Sequence, residues 1–116
     1  MNPRLKRLPA RFYQLEAGRE PVREWLKSLE SEDRKILGED IKDVEFAWPI
    51  GMPLVKNIGN GLWEVRSDLT GGKIGRVIFT VERESMILLH GFIKKTQKTP
   101  KQDLDLALKR KKGGSV

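Results

Sequence analysis

LWEVRSDLTGGKIGRVIFTVERESMILLHGFI, residues 62–93, holds three extended runs separated by two short turns. In residues 62–68, Trp63 and Val65 alternate with Glu64, Arg66 and Asp68, the period-two pattern of a strand with one apolar face. Thr70-Gly71-Gly72-Lys73 reads as a turn. Residues 74–81 set Val77, Phe79 and Val81 on one face, and Ile74, Arg76, Ile78 and Thr80 on the other. Residues 82–85 turn again, and residues 86–93 are apolar on both faces, as in a strand covered from both sides. Strands joined this closely predict an antiparallel meander.

Working outward, residues 11–16 (RFYQLE) read as a first strand that ends before Gly18. Pro21 suits the first turn of a helix, and Val22, Trp25, Leu26 and Leu29 follow at helical spacing. Ser31 is the expected cap of a second helix, with Glu32 and Asp33 at its positive end and a stripe of Leu37, Ile41, Val44 and Trp48. Pro49 stops it, and residues 49–61, rich in Gly and Pro, read as a loop. Thr99-Pro100-Lys101-Gln102 spells a capping box for a last helix with Leu104, Ala107 and Leu108 inward, ended by Gly113 and Gly114. The order is βααβββα, a small α+β domain spanning 1–116, with residues 1–10 and 113–116 as flexible ends. Trp25, Trp48 and Trp63 fall on core stripes and read as packing.

With 116 residues the chain suits a single modest core. It has no cysteine, which excludes disulfides, thiolate metal sites and cysteine nucleophiles and fits a reducing cytoplasm. One histidine argues against a zinc site, and no metal or cofactor is expected. No apolar run approaches the ~20 residues that span a bilayer, and the basic N-terminus lacks a signal-peptide core, so no membrane association is expected. Charge is the strongest functional signal. The net charge is +7, and residues 94–116 set eight basic residues against Asp103 and Asp105. Clustered cations where a strand leaves a sheet suit a polyanion, above all nucleic acid.

Arg66 and Arg76 lie on neighbouring expected strands, opposite the apolar faces. Two guanidiniums on one sheet face suit a phosphate and the charge that develops on it, and both are candidate catalytic residues. Spacing leaves open a solvated pair matched with Glu64 and Asp68. Arg76→Ala is expected to leave the fold intact. Lys95 and Lys98 are candidate catalytic cations, and Lys56, Lys94 and Lys101 candidate RNA-binding residues; the alternative for the strand-exit lysines is solubilising charge. Lys109 to Lys112 complement the dipole of the last helix. Alternation groups His90 with Leu88, Phe92 and Lys94, a pattern that favours a structural histidine over a general base.

LWEVRS (62–67), GRVIFTV (75–81), ILLHGFIKKTQKTPKQDLDLALKR (87–110) and REPVREWLKSL (19–29) resemble the phage-derived HigB-like toxins of the RelE superfamily. HGFIKKTQKTP is the most specific of these stretches. The resemblance implies a RelE-type fold and a metal-independent endoribonuclease, the mRNA interferase toxin of a type II toxin–antitoxin pair. Such enzymes cut mRNA on the ribosome by attack of a ribose 2′-hydroxyl on the adjacent phosphate. It also implies a helix-turn-helix, HigA-like antitoxin as partner, with the ribosome and mRNA. By position Arg76 and Arg66 match arginines of the family's meander, and KKTQK takes the place of its basic and aromatic residues after the last strand. Many relatives carry a Tyr or His there as acid or base. This segment has neither, so either a lysine or His90 takes that role, or ribosomal RNA supplies part of it, or activity is weak. The other readings are a noncatalytic basic RNA- or DNA-binding module and a phage-derived interaction protein.

Overall fold

The alternation in residues 62–93 folds as the expected meander in a computed structural model, which describes residues 5–94 and 98–113. The elements are β1 (Ala10–Phe12), α1 (Pro21–Ser28), α2 (Ser31–Ala47), β2 (Val55–Gly59), β3 (Leu62–Asp68), β4 (Ile74–Glu82), β5 (Ser85–Lys94) and α3 (Lys101–Lys112). They build one five-stranded mixed sheet in the order β1-β5-β4-β3-β2. The α+β class holds, with one strand more than the expected order contained. That strand, β2, lies in the segment read as a loop. Asn60 and Gly61 join it to β3 with φ of 58° and 73°, the left-handed pair of a tight two-residue hairpin.

β1 runs parallel to β5 and stops at Phe12, four residues before the expected end. Beyond it the chain curls, with the Gly18 amide bonded to the Leu15 carbonyl. In the N-terminal end, expected to be flexible as far as residue 10, residues 6–10 are tied to Glu45 of α2. Leu8 is 2% exposed, the Glu45 carbonyl accepts from the amides of Arg7 and Leu8, and the Glu45 carboxylate takes the Ala10 amide at 2.7 Å and Lys6 at 3.1 Å. Residues 1–4 and 114–116 of the expected flexible ends lie outside the described residues.

Helices α1 and α2 cover one face of the sheet, over Val65, Val77, Phe79 and Leu88. Trp48 meets Trp63 and Phe79 edge-on at 5.4 and 5.7 Å between ring centres. On the other face α3 packs on β5 and the adjoining part of β4, burying Leu62, Ile78, Ile87, Leu89 and Ala107. Among the described residues no helix is long and apolar enough to cross a membrane.

A bulge in β5 breaks the expected alternation. Ile78 pairs with His90 and Phe79 with Leu88, so Leu89 is the extra residue. Leu88 therefore faces α1 and α2, while Leu89, His90 and Phe92 face α3, and His90 does not share a face with Leu88. The Leu89 carbonyl, freed from the ladder, accepts from Arg110 Nη1 of α3 at 2.7 Å.

Neither expected helix cap forms, and longer-range bonds lie near both helix starts. Ser31 is the first helical residue of α2, Glu30 takes the cap position, and neither Glu30 nor Pro100, the residue before α3, makes a side-chain cap bond. Asp33 instead grips the β3–β4 connection, accepting from the Thr70 amide and hydroxyl at 2.9 Å each and from Lys73 Nζ at 2.5 Å. The Lys73 hydrogen bond, then the Thr70 amide, lower its pKa to about 2. A lowered carboxyl pKa contributes stability that is present above the unfolded value, near 3.8, and lost as pH falls toward 2. We expect Asp33→Asn to flatten the pH dependence of stability between pH 4 and 2, checked by urea unfolding at each pH.

Trp25 of α1 lies against Gly91, where a Cβ would overlap its indole. Gly91→Ala is expected to cost about 1–3 kcal/mol by overpacking. Gly38, inside α2 with open space around it, is the control: Gly38→Ala should stabilise by about 0.4–1 kcal/mol, both measured by denaturant unfolding.

Candidate active site

The register of β2, β3, β4 and β5 sets the polar residues of the α3 face in rows. One row holds Lys56, Glu64, Ile78 and His90, the next Arg66, Arg76 and Phe92, the third Asp68, Ile74 and Lys94. Arg66 and Arg76 are thus direct cross-strand neighbours. They line a cleft of 220 Å³ with Asp68, Met52 and Pro53. Arg66 is half-buried and its Nη1 lies 3.1 Å from the Met52 sulfur.

Three charged side chains of this face are nearly lost to solvent: Glu64 is 0%, Arg76 5% and Lys94 6% exposed. Arg76 Nη1 donates to the Gly75 carbonyl at 2.8 Å, and Nε stands 3.6 Å from Glu64 Oε1. That is an ion pair slightly too long for a hydrogen bond, and among the described residues neither atom has another partner. The other Glu64 oxygen accepts from the Thr99 hydroxyl at 2.7 Å. Thr99, expected to cap α3, thus ties the approach to that helix onto the sheet.

The cluster is electropositive. Burial, and then the neighbouring Arg66, lower the Arg76 pKa against the pull of Glu64 and Asp68. Burial also lowers that of Lys94; Glu64 opposes this, while Arg76, Arg66 and Lys56 reinforce it. Four cations therefore share two carboxylates around a corner in which Glu64, Arg76 and Lys94 are buried, and an entering anion relieves their repulsion. A family model described as Phage derived protein Gp49-like (DUF891) matches residues 24–112, from α1 to the end of α3, and so takes in every residue of this cluster. The chain belongs to that family. The Gp49-like family is linked to RelE-like toxins of toxin–antitoxin systems. No curated protein matches the chain.

Within the Gp49-like domain the remaining candidates are scattered. Lys56 is exposed on β2, opposite Glu64. Lys98 is exposed just before Thr99, and Lys101, on the first turn of α3, pairs with Asp105 at 2.8 Å. Lys95 lies outside the described residues. His90 Nε2 bonds Asp103 Oδ1 at 2.6 Å and its ring stacks on Phe92, so it fastens β5 to the first turn of α3. Glu64 is the member that sequence reading missed as part of the machinery, having treated it only as a surface partner for the arginines. An acid and a cation at alternate positions on one strand face, Glu64 and Arg66, were the available signal.

The expectation that Arg76→Ala leaves the fold intact is corrected. Arg76 is buried diagonally across from Glu64, and removing it strands a carboxylate away from water. The same coupling predicts that Glu64→Ala destabilises by roughly 3–5 kcal/mol, against about 0.5 kcal/mol or less for Lys101→Ala on the surface, both measured by denaturant unfolding.

Proposed function

We propose that this chain is a HigB-like toxin of a bacterial toxin–antitoxin pair and cleaves ribosome-bound mRNA in the cytoplasm. The observation that carries this reading is the adjacent pair Arg66 and Arg76 in one cleft, in a cluster where cations exceed carboxylates. Two guanidiniums side by side match the geometry of one phosphodiester. In the reaction the ribose 2′-oxygen, giving its proton to a base, bonds to the adjacent phosphorus. The bond from phosphorus to the 5′-oxygen breaks, and the 5′-oxygen takes a proton. The products are a 2′,3′-cyclic phosphate and a 5′-hydroxyl. Arg66 and Arg76 stabilise the extra charge of the phosphorane. Lys94 shares that corner, and its lowered pKa eases proton loss, which suits it to protonate the 5′-oxygen. Glu64 is a positioning residue that sets the place of Arg76 and, through Thr99, of the approach to α3. Lys56, Lys95, Lys98 and Lys101 hold the RNA backbone, so binding weakens as salt rises. The partner is a helix-turn-helix antitoxin of the HigA type that covers this cationic face.

Induced expression followed by mapping of mRNA 5′ ends tests the reading. Wild type should arrest growth and cut messages. Arg66→Ala, at a half-buried position, should keep its melting temperature and lose about 10²–10³ in cleavage rate. For Arg76 the informative variant is Arg76→Lys, which retains the charge beside Glu64 but loses the planar fork; it should bind ribosomes and cut poorly. Intact messages at full wild-type expression would reject the enzyme and favour the noncatalytic binding module.

A further inference from the structure

The cleft at the arginine pair opens into a second one. β2 pairs with β3 only as far as Val65, which leaves Ser67 and Asp68 on an open edge. The segment after the second helix crosses that edge, and the Arg66 amide bonds the Leu54 carbonyl at 2.8 Å. Around the edge lies a cleft of 360 Å³ that shares Pro53, Arg66 and Asp68 with the first and continues to Ile36, Leu54 and Asp40. A strand whose phosphate sits on Arg66 and Arg76 therefore has a place for its neighbouring nucleoside on the other side of Arg66.

The chemistry of this second cleft differs from that of the first. Its walls include the apolar groups of Ile36, Pro53 and Leu54, suited to the flat face of a base. Its polar groups are the carboxylates of Asp40 and Asp68, with the Arg66 guanidinium at the boundary with the first cleft. Asp40 already accepts from the Ser67 hydroxyl at 2.6 Å through Oδ2. Asp68 is exposed, at the boundary common to both clefts. Burial pushes the Asp40 carboxyl pKa up against the Ser67 bond, and Asp43, Asp68 and Glu39 add to the rise, so the two lining carboxylates repel each other. Carboxylates accept hydrogen bonds and donate none, so a base edge rich in N–H groups relieves that repulsion. Guanine presents its ring N–H beside its amino group and meets both oxygens of one carboxylate. Uracil flanks its single N–H with two carbonyl oxygens, which a carboxylate repels.

We propose that this cleft is a nucleobase subsite in which Asp68 selects guanine over uracil beside the phosphate held by the arginines. The proposal rests on the RNA-cleaving reading and names a substrate preference for that same site. The test uses ribosome-bound messages that differ only in the base flanking the cut, with wild type and Asp68→Asn. The readout is the ratio of guanine to uracil cleavage rates, because a general loss of activity leaves a ratio unchanged. Wild type should favour guanine by about 10-fold or more, and Asp68→Asn should reduce the preference to within about 3-fold, since one good base-edge pairing is worth roughly 5- to 150-fold. If the variant is too slow to score, competition between short single-stranded guanine and uracil oligonucleotides for the two proteins reads the same ratio. A wild type that cuts without preference for guanine, or a preference unchanged in the variant, overturns the subsite and leaves the nuclease standing. A wild type that cuts no message overturns both.

Discussion

A carboxylate without solvent access, Glu64, stands between Arg76 and Thr99, and much of the cationic face depends on it. A buried charge is tolerated only when partners replace its lost hydration. Here the partners come from different parts of the chain: Arg76 from the adjacent strand, and Thr99 from the connection that follows β5. Holding Thr99 delivers α3 to the sheet. Holding Arg76 keeps a guanidinium in a corner that burial and Arg66 would otherwise disfavour. The same bonds thus join the C-terminal helix to the fold and set the charge of the cleft.

The fold was legible where its cause was local. Alternation in residues 62–93 was enough for the meander, and helical spacing of Val22, Trp25, Leu26 and Leu29 was enough for the first helix. The strand at Val55–Gly59 was misread because Gly and Pro around it outweighed Asn60-Gly61, a hairpin signal that was present. The caps failed for a different reason. Ser31 and Thr99 look like ideal caps in isolation, but α2 begins one residue early, at Ser31 itself, and for Thr99 a tertiary hydrogen bond competes with local capping. The Thr99 hydroxyl went to Glu64, and Asp33 to Thr70 and Lys73. No sequence pattern reports that outcome, because it depends on residues 35 or more positions away.

The site was legible in part. The facing arginines follow from strand alternation and the lengths of the turns. The burial of Arg76 does not, because it depends on tertiary packing around Glu64 that alternation does not report. The displacement of His90 from the face of Leu88 needs the bulge, a single-residue event that leaves only a weak mark in an all-apolar strand. Membership of a family linked to RelE-like toxins agrees with the class of chemistry that a paired-arginine cleft suits. The clefts that adjoin at Arg66 bring together residues 36, 40, 53, 54, 66 and 68, a set that no short motif unites.

The parallel pairing of β1 with β5 has a further consequence. β5 is the strand with the most apolar sequence, and Ala10, Arg11 and Phe12 occupy its outer hydrogen-bonding edge at Met86, Ile87 and Leu88. Three residues add little to the core, yet they close an edge that would otherwise present free amides and carbonyls flanked by methionine, isoleucine and leucine. Such an edge is a template for strand addition by a second copy. The short N-terminal strand, held in place by Glu45 of α2, therefore acts as a guard against self-association, and trimming or displacing it would tend to produce aggregates as much as to alter the cleft on the far side of the sheet.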